Sequence, residues 1–366
     1  MEGLKILWLN WRCWLNPAMG GAEVFTREVA ERWVMAGHQV TLLTSSFPGC
    51  KAEEVLCGIR VVRCGGKYSV YGKARDFYKQ RFSKEGFDIV IDEINTRPFF
   101  AHKFAVRGEK VLCLIHQLAR EYWFYETPFP ISYVGYHFLE DRWLRNYVDV
   151  PTVTVSESTR CDLLKLGFKR VFVVSEGLNF KPLTHIPEKA SFPVVVYAGR
   201  LRKAKRPDHV VKAFKIVRSH FPNAELWVIG DGSFKSNLLR IAGEGVRFFS
   251  GLNNCERREL IQRAWILVNP SVREGFGLNV IEANALGVPC IAYDVGGLRD
   301  AVLSNETGLL VKSSDIKALG EEICRVLANN DLSVDLSEKA LKHSRGFSWD
   351  KAAEEFMNVV KTVDRG

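Results

Sequence analysis

The sequence predicts an α/β protein with two doubly wound domains, each a parallel sheet covered by helices. Short apolar runs, each followed by a loop and an amphipathic helix, recur along the whole chain, and this alternation is typical of parallel sheets. The alternation is interrupted once, at 175–192, by the polar and proline-containing stretch SEGLNFKPLTHIPEKASF, which has the composition of a linker. A chain of 366 residues is also longer than one compact core usually supports.

The interruption defines an N-terminal domain over residues 1–174 and a C-terminal domain over residues 193–347. In the first domain, strands are predicted at 5–10, in HQVTLLT, and at 59–63, 88–93, 110–115 and 152–155, with a helix in GAEVFTREVAERWVMAG. In the second domain, the predicted strands are VVVYAG, AELWVIG, VRFFSG, WILVNP, PCIAYD and GLLVK. A last amphipathic helix near 348–363 is expected to pack back on the first domain. Ligands of such sheets bind at the carboxyl ends of the strands, so we expect the two domains to face each other across a cleft.

The overall charge and hydropathy restrict the classes of partner. The formal net charge is +9, which favours an anionic partner such as a nucleotide, a nucleic acid or an acidic membrane surface. No apolar run approaches the roughly 18–20 residues of a membrane-spanning helix. The N-terminal MEGLKILWLNW is a poor signal peptide because its short apolar run is interrupted by charges. We therefore expect a cytoplasmic protein.

The most informative segment is EGFGLNVIEANALGVP, which follows the predicted strand WILVNP. In Glu274-Gly275-Phe276-Gly277, the two glycines allow backbone amides to approach a ligand, and the helix start adds partial positive charge. A carboxylate repels phosphate but accepts hydrogen bonds from sugar hydroxyls. Glu282 would lie roughly 12 Å beyond Glu274 along a helix axis, which suits the sugar and ribose ends of a nucleotide sugar. Alternatively, Glu274 caps the helix dipole and Glu282 is a surface residue.

Two cations are candidates for binding the diphosphate of such a ligand. Arg200 follows the strand VVVYAG, and Lys205 stands five residues later in GRLRKAKRP. A cation at the carboxyl end of a parallel strand can neutralise a diphosphate. Five of the seven residues at 200–206 are basic, so solvated loop charge explains the pattern equally well.

The first domain offers weaker candidates. Gly20 and Gly21 form a loop that enters the first predicted helix, and His116 ends the strand KVLCLI. An imidazole can bind a hydroxyl or share a proton near neutral pH, although a structural histidine is the commoner case. Ser156 is predicted to cap the next helix, with Thr159 nearby.

Two segments of the first domain, 67–82 and 118–150, combine many aromatic residues with arginine and lysine. Core packing of an insertion, an interfacial membrane contact and a nucleic-acid surface are all compatible with this composition. Membrane contact is favoured over nucleic acid, and we expect no nucleic-acid partner.

Taken together, the motifs resemble those of retaining glycosyltransferases of the GT-B fold, family 4. The resemblance covers nearly the whole chain and rests on GGAE at 20–23, VSEST at 155–159, GRL with the lysine at 200–205, and EGFGLNVIEANALGVPCIA at 274–292. The last segment contains the glutamate, seven residues, glutamate pattern of that family. The resemblance implies two Rossmann-like domains and the transfer of a hexose or N-acetylhexosamine from a nucleotide-diphosphate sugar.

The resemblance also implies roles for individual residues. Arg200 and Lys205 would bind the donor diphosphate, and Glu282 would bind the ribose hydroxyls. Glu274 would contact the transferred sugar and phosphate together with backbone amides, and His116 would lie beside that sugar. The remaining implied donor-binding positions are Gly20, Gly21, Gly251, Leu252, Gly275, Phe276, Gly277 and Leu278. Members of the family are generally metal-independent and need no cofactor beyond the donor, and this sequence contains no D-x-D pair for a metal.

Two positions depart from the family pattern. The linker contains SEGLNF where the family usually has Pro-Asn-Gly, so no role is assigned to residues 176–179. Asp300 in YDVGGLRD stands where glutamate is common. The expected acceptor is a glycan or lipid-linked hydroxyl, with the protein bound peripherally to an anionic membrane. The alternatives are a non-catalytic nucleotide-sugar or nucleic-acid binding protein, and a sugar-nucleotide epimerase of the same fold.

Overall fold

The computed structural model describes residues 3–364, and the chain divides into two compact units. Unit 1 comprises the residues up to 120, residues 133–177 and the residues from 348 onward. Unit 2 comprises residues 121–132 and 178–347. The sequence analysis grouped residues 121–132 with the N-terminal domain, whereas in the structure they pack within unit 2.

The secondary-structure elements have the following bounds. The strands are β1 Lys5–Leu9, β2 Gln39–Thr44, β3 Glu53–Leu56, β4 Ile59–Arg63, β5 Ile89–Glu93, β6 Lys110–Ile115, β7 Thr152–Thr154, β8 Val171–Val173, β9 Val194–Ala198, β10 Glu225–Ile229, β11 Val246–Phe249, β12 Ile266–Asn269, β13 Cys290–Tyr293 and β14 Gly308–Val311. The helices are α1 Gly21–Met35, α2 Val70–Gln80, α3 Tyr122–Glu126, α4 Ile131–Val134, α5 Glu140–Leu144, α6 Glu157–Lys165, α7 Pro207–His220, α8 Lys235–Ile241, α9 Asn254–Arg263, α10 Leu278–Ala285, α11 Leu298–Ala301, α12 Ile316–Ala328, α13 Asn330–Ser344 and α14 Trp349–Asp364.

Unit 1 is built on an eight-stranded sheet in the order β3-β4-β2-β1-β5-β6-β7-β8. All neighbouring strands are parallel except β3 and β4, which form an antiparallel pair at the edge. The central strands are buried on both faces, which explains why they appear in the sequence as continuous apolar runs. The sequence analysis missed β3 and β8, because β3 alternates exposed and half-buried residues and β8 has only three residues.

Unit 2 is built on a six-stranded parallel sheet in the order β11-β10-β9-β12-β13-β14. Strand order changes direction at β9 and β12, the two central strands, which makes this the topological switch point where doubly wound sheets bind ligands. Both units are therefore Rossmann-like α/β structures, and the predicted fold class is confirmed.

The last helix, α14, packs in unit 1 against α1. The Trp33 indole N–H donates a hydrogen bond to the Ala353 carbonyl at 2.9 Å, and Phe356 packs among the rings of Trp8, Trp33 and Phe25. At Gly177, an added Cβ would lie 2.3 Å from the Trp349 backbone nitrogen. Glycine is therefore required where the chain leaves unit 1 beside the start of α14.

The aromatic segments 67–82 and 118–150 divide into buried and exposed parts. In the first segment, Tyr78 and Phe82 are buried in the core of unit 1. In the second segment, the rings of Trp123 and Tyr147 are also buried, but Tyr133, Val134 and Phe138 are exposed. Within residues 3–364, no helix has both the length and the apolar character needed to cross a membrane.

We predict that Gly177→Ala lowers the free energy of unfolding by about 1–3 kcal/mol, the usual cost of overpacking. The added methyl group must displace backbone atoms of Ser348 and Trp349. Urea unfolding followed by tryptophan fluorescence measures the effect. The matched control is Gly72→Ala within α2, where an added Cβ meets nothing within 4 Å and is expected to stabilise the helix by about 0.5–1 kcal/mol. Equal unfolding midpoints for the two variants would contradict the close approach at Gly177.

Candidate active-site residues

In unit 2, the segment after β12 is anchored to the segment after β9. The Val272 amide donates to the Ala204 carbonyl at 3.0 Å, and the Asn279 side-chain amide donates to the Ala198 carbonyl at 2.9 Å. These two bonds join the two loops at the switch point of the sheet. The sequence analysis placed the predicted diphosphate cations on one of these loops and the EGFG turn on the other.

The structure brings Lys205 and Glu274 into direct contact. The Lys205 Nζ atom lies 2.5 Å from the Glu274 Oε2 atom, and the two side chains are 25% and 15% exposed. The second carboxylate oxygen, Oε1, accepts a hydrogen bond from the Ser271 hydroxyl at 2.7 Å. Burial lowers the pKa of Lys205, but the charge of Glu274, with a contribution from Tyr122, outweighs burial and raises that pKa above its usual value. Lys205 is therefore a fixed ammonium group at neutral pH.

Helix α10 begins immediately after this pair. Its N-cap is Gly277, which has a φ of 101°, a left-handed conformation that favours glycine. A Cβ on Gly277 would lie 3.2 Å from Leu298 and 3.3 Å from Ala301, so tight packing adds to the preference for glycine here. Because glycine has no side chain to cap the helix, the first amides of α10, beginning at Leu278, are left to interact with an anion. Gly275 and Phe276 complete the turn between Glu274 and this N-cap, with Phe276 buried.

The other predicted donor-binding residues of unit 2 lie on neighbouring loops. Arg200 lies two residues after the end of β9, and its carbonyl accepts a hydrogen bond from the Tyr197 hydroxyl at 2.9 Å. Glu282, in the second turn of α10, forms an ion pair with Arg257 of α9 at 2.8 Å. Gly251 lies in the turn after β11 with a φ of 72°, and Leu252 beside it packs against the unit 2 core.

Helix α3, in the segment 121–132, packs on the turn that carries Lys205. The Tyr122 hydroxyl donates to the Arg273 carbonyl at 3.2 Å, and the Lys205 ammonium lies 5.8 Å from the centre of the Tyr122 ring. Two carboxylates of α3 and its N-cap also pair with cations of unit 2, Glu121 with Arg273 and Glu126 with Arg202. Sequence reasoning missed Tyr122 because its contacts are with residues far along the chain.

In unit 1, two of the predicted residues, Gly21 and His116, both lie close to the Glu176 carboxylate. The ideal Cβ position of Gly21 is 4.0 Å from the Glu176 Oε1 atom and meets nothing closer, so the fold itself does not require glycine there. The His116 Nδ1 atom lies 3.9 Å from the same Oε1 atom. At Gly20, the amide donates to the Glu23 carboxylate at 2.5 Å, which fixes the loop that enters α1.

The segment VSEST holds the backbone beside His116. The Ser156 hydroxyl accepts from the Thr159 amide at 3.2 Å and is the N-cap of α6, so the predicted cap is confirmed. The Thr159 hydroxyl in turn donates to the His116 carbonyl at 3.3 Å. Through these two bonds α6 fixes the position of His116 at the end of β6.

Sequence reasoning missed Glu93, which ends β5 and is fully buried. Its Oε1 atom lies 3.3 Å from the His116 Nε2 atom. Burial lowers the pKa of His116, but Glu93, with smaller contributions from Glu176 and Glu23, raises that pKa above its usual value. Two adjacent carboxylates, Asp92 and Glu93, at the carboxyl end of a buried strand are the signal that could have indicated Glu93.

Two family models match successive parts of the chain. Residues 19–181 match Glycosyltransferase Family 4, and residues 184–343 match Glycosyl transferases group 1. Together these matches include every predicted site residue of both units. The chain therefore belongs to the GT-B glycosyltransferases of the family 4 type, and the family resemblance inferred from the sequence is confirmed.

Comparisons with individual proteins agree with this assignment. The chain is 24% identical to a D-inositol 3-phosphate glycosyltransferase from Corynebacterium urealyticum, over 94% of this chain and 91% of that one. It is 28% identical to an uncharacterized glycosyltransferase from Methanocaldococcus jannaschii over 98% of each chain. Among solved structures, sucrose-phosphate synthase from Thermosynechococcus elongatus has a TM-score of 0.80 at 20% identity, with 98% of each chain covered. This structural likeness shows the GT-B fold.

We predict that Lys205 and Glu274 are strongly coupled in stability. Glu274→Gln leaves a partly buried ammonium group without its partner, and Lys205→Met leaves a partly buried carboxylate without its partner. We therefore expect each variant to have a free energy of unfolding lower by about 2 kcal/mol or more. The double variant is expected to lose less than the sum, with a coupling of about 1–3 kcal/mol. A double-mutant cycle in urea measures this coupling.

The control is the ion pair of Arg299 and Asp294, whose side chains are both about half exposed. Exposed ion pairs contribute about 0.2–1 kcal/mol. Coupling energies of equal size in the two cycles would show that Glu274 is not the neutralising partner of Lys205.

Proposed function

We propose that the protein is a retaining, metal-independent glycosyltransferase that moves a hexose or N-acetylhexosamine from a nucleotide-diphosphate sugar to an acceptor hydroxyl. One observation carries the proposal: the contact between Lys205 and Glu274 at the uncapped start of α10. The ammonium and the amides of α10 suit a diphosphate, whereas the carboxylate suits the hydroxyls of the sugar attached to it. A nucleotide sugar presents both kinds of group a few ångströms apart.

The proposal assigns the nucleoside to the other end of α10. Glu282 accepts hydrogen bonds from the ribose hydroxyls, and its ion pair with Arg257 keeps the local charge balanced beside an anionic ligand. Gly251 and Leu252 contact the base. The left-handed backbone at Gly251, where an added Cβ would meet nothing within 4 Å, leaves room for a flat ring to approach the main chain.

In the reaction, the bond from the anomeric carbon to the donor phosphate oxygen breaks while a bond to the acceptor oxygen forms on the same face of the sugar. The acceptor hydroxyl gives its proton to the departing phosphate, so no protein nucleophile is required. Lys205 and Arg200 stabilise the negative charge that develops on the diphosphate, which is the main electrostatic demand of the step. Within unit 1, Gly20, Gly21 and His116 are proposed to contact a sugar substrate.

We predict that Lys205→Ala reduces kcat by about 10²–10³-fold, because removal of one charge-stabilising group at a reacting centre has this effect. Transfer is measured with UDP-, GDP- and ADP-sugars, and the true donor is identified first by the rise in melting temperature that it causes. Product NMR gives the anomeric configuration, and addition of EDTA tests the need for a metal.

Lys203→Ala is the matched control, since Lys203 is exposed and lies in the same turn. We expect its kcat to be unchanged. Full turnover of Lys205→Ala at saturating donor would exclude the role assigned to Lys205. Donor binding without any transfer would favour a non-catalytic binding protein, and conversion of the donor to an isomer would favour an epimerase.

We further propose that the protein acts on a lipid-linked acceptor at the cytoplasmic face of an anionic membrane. The support is the helical stretch through residues 133–138, where Tyr133, Val134 and Phe138 are exposed. The rings of Tyr133 and Phe138 are 6.4 Å apart, so these side chains belong to one patch. Arg142 and Arg145, both exposed, follow in the next turns. Aromatic residues flanked by arginine suit the interface of an anionic bilayer.

We predict that the double variant Val134→Ser/Phe138→Ser sediments with anionic vesicles about tenfold more weakly than the wild type, because two apolar side chains no longer enter the bilayer interface. The measurement is co-sedimentation with phosphatidylglycerol vesicles at physiological salt. Met35→Ser is the control. Met35 is also an apolar residue of unit 1 and is 77% exposed on α1, but it is not one of the residues of this patch. Wild-type protein that stays in the supernatant would exclude the membrane proposal.

A further inference from the structure

The Tyr122 hydroxyl lies beside the Lys205 ammonium in unit 2. The hydroxyl donates a hydrogen bond to the Arg273 carbonyl at 3.2 Å, and the Lys205 Nζ atom is 5.8 Å from the centre of the Tyr122 ring. Burial raises the pKa of Tyr122, although the charge of Lys205 opposes this rise, so the phenol keeps its proton at neutral pH. Since its O–H bond is directed to a carbonyl, the oxygen can accept a hydrogen bond from the ammonium.

The Lys205 ammonium has three N–H donors, and two residues of unit 2 serve as its partners. Glu274 Oε2 lies 2.5 Å from Nζ, and Tyr122 is a second hydrogen-bond partner. Burial lowers the pKa of Lys205, but these two residues outweigh burial and raise it. Glu274 is itself fixed, because the Ser271 hydroxyl donates to its other oxygen at 2.7 Å. Two fixed partners therefore set the direction of the third N–H, and the Lys205 side chain remains 25% exposed.

The position of Tyr122 depends on the residues around it in and before α3. A helix of five residues has little stability of its own, so contacts with other segments must hold α3 in place. Three neighbours of Tyr122 contact cations on the two loops at the switch point, two through carboxylates and one through a hydroxyl. The pairs are Glu121 with Arg273 at 3.1 Å, Glu126 with Arg202 at 3.3 Å and Tyr125 with Arg206 at 2.7 Å. Together these contacts fix the Tyr122 phenol against the loop that carries Lys205.

The direction of an ammonium N–H matters where negative charge develops during a reaction. A lysine side chain is long and flexible, and its donors rotate freely, so ordering them costs entropy. A donor that is already directed at the developing charge stabilises the transition state without this cost. The single contact with Glu274 leaves the ammonium of Lys205 free to rotate about that hydrogen bond. A second contact, from Tyr122, removes this freedom.

We propose that Tyr122 is a positioning residue for sugar transfer: its hydroxyl, together with Glu274, fixes the Lys205 ammonium so that the remaining N–H is directed at the departing diphosphate. Tyr122 acts through Lys205 and makes no contact with the donor. This inference rests on the proposed function for the reaction, whereas the fixed ammonium does not depend on that function.

The sharpest test removes the hydroxyl alone. Tyr122→Phe keeps the ring and its packing, so the fold is expected to stay intact, and a thermal melt checks this. The matched control is Tyr125→Phe, which removes a hydroxyl from the same helix that contacts Arg206 instead of Lys205.

The ordering of the ammonium is measured by NMR on the full chain labelled with ¹⁵N-lysine, in which ammonium protons give a signal only when their exchange with water is slow. Lys205→Met identifies the signal of Lys205. We expect this signal in the wild type and in Tyr125→Phe, and the loss of most of its intensity in Tyr122→Phe. Equal intensity in Tyr122→Phe, or no Lys205 signal in the wild type, would overturn the inference.

The catalytic consequence is measured with the donor identified by thermal stabilisation. Tyr122→Phe is expected to lower kcat about tenfold, the effect of one lost hydrogen bond. The KM for the donor should stay nearly unchanged, because the ordered N–H acts on charge that develops in the transition state. In the Lys205→Ala background, the same substitution should lower kcat no further, because Tyr122 acts through Lys205.

The outcomes separate this inference from the proposed function. A kcat of Tyr122→Phe equal to that of the wild type would overturn the inference. A further tenfold loss in the Lys205→Ala background would overturn it as well, because Tyr122 would then act on the substrate or on the fold and not through Lys205. The expected NMR result in a protein that transfers no sugar would support the fixed ammonium and refute the proposed function instead.

Discussion

The ion pair of Lys205 and Glu274 is the interaction on which the arrangement of unit 2 depends. It joins the loop after β9 to the loop after β12, and these are the loops at the switch point of the sheet. The backbone bond from Val272 to Ala204 and the side-chain bond from Asn279 to Ala198 strengthen the same connection. Helix α3 then packs over the turn that carries Lys205 through Tyr122. The charge pair and these bonds together connect the α10 start, the turn at 203–205 and the segment 121–132.

The same pair resolves an apparent electrostatic conflict in the sequence. Two glutamates beside the uncapped start of α10 would repel an anion at its free amides if no cation lay near them. In the structure, each has a cation: Lys205 for Glu274 and Arg257 for Glu282. The carboxylates therefore add hydrogen-bond acceptors without making the region repulsive to phosphate. Such balanced pairs favour ligands that combine an anion with hydroxyl groups over simple anions.

Much of the fold could be predicted from the sequence because buried parallel strands leave a local signal. The runs at 59–63 and 110–115 are strands β4 and β6 with unchanged bounds. Their apolar residues alone were sufficient to predict both strands. The contacts that define the candidate site are different in kind. Lys205 and Glu274 are separated by 69 positions, Trp8 and Glu93 by 85, and only the folded chain brings them together. Glu93 was overlooked for this reason, and the assignment of residues 121–132 to unit 2 depends on equally distant contacts of Tyr122.

The order of the units along the chain has a consequence for biosynthesis. Strands β1 to β8 of unit 1 leave the ribosome before the strands of unit 2, yet the core of unit 1 is completed by α14, which is encoded after the whole of unit 2. The Trp8 and Trp33 rings that pack against Phe356 are therefore uncovered while most of the chain is being made. During translation, the core of unit 1 therefore stays incomplete, with apolar surface exposed, until α14 has been made, and such a state is prone to aggregation.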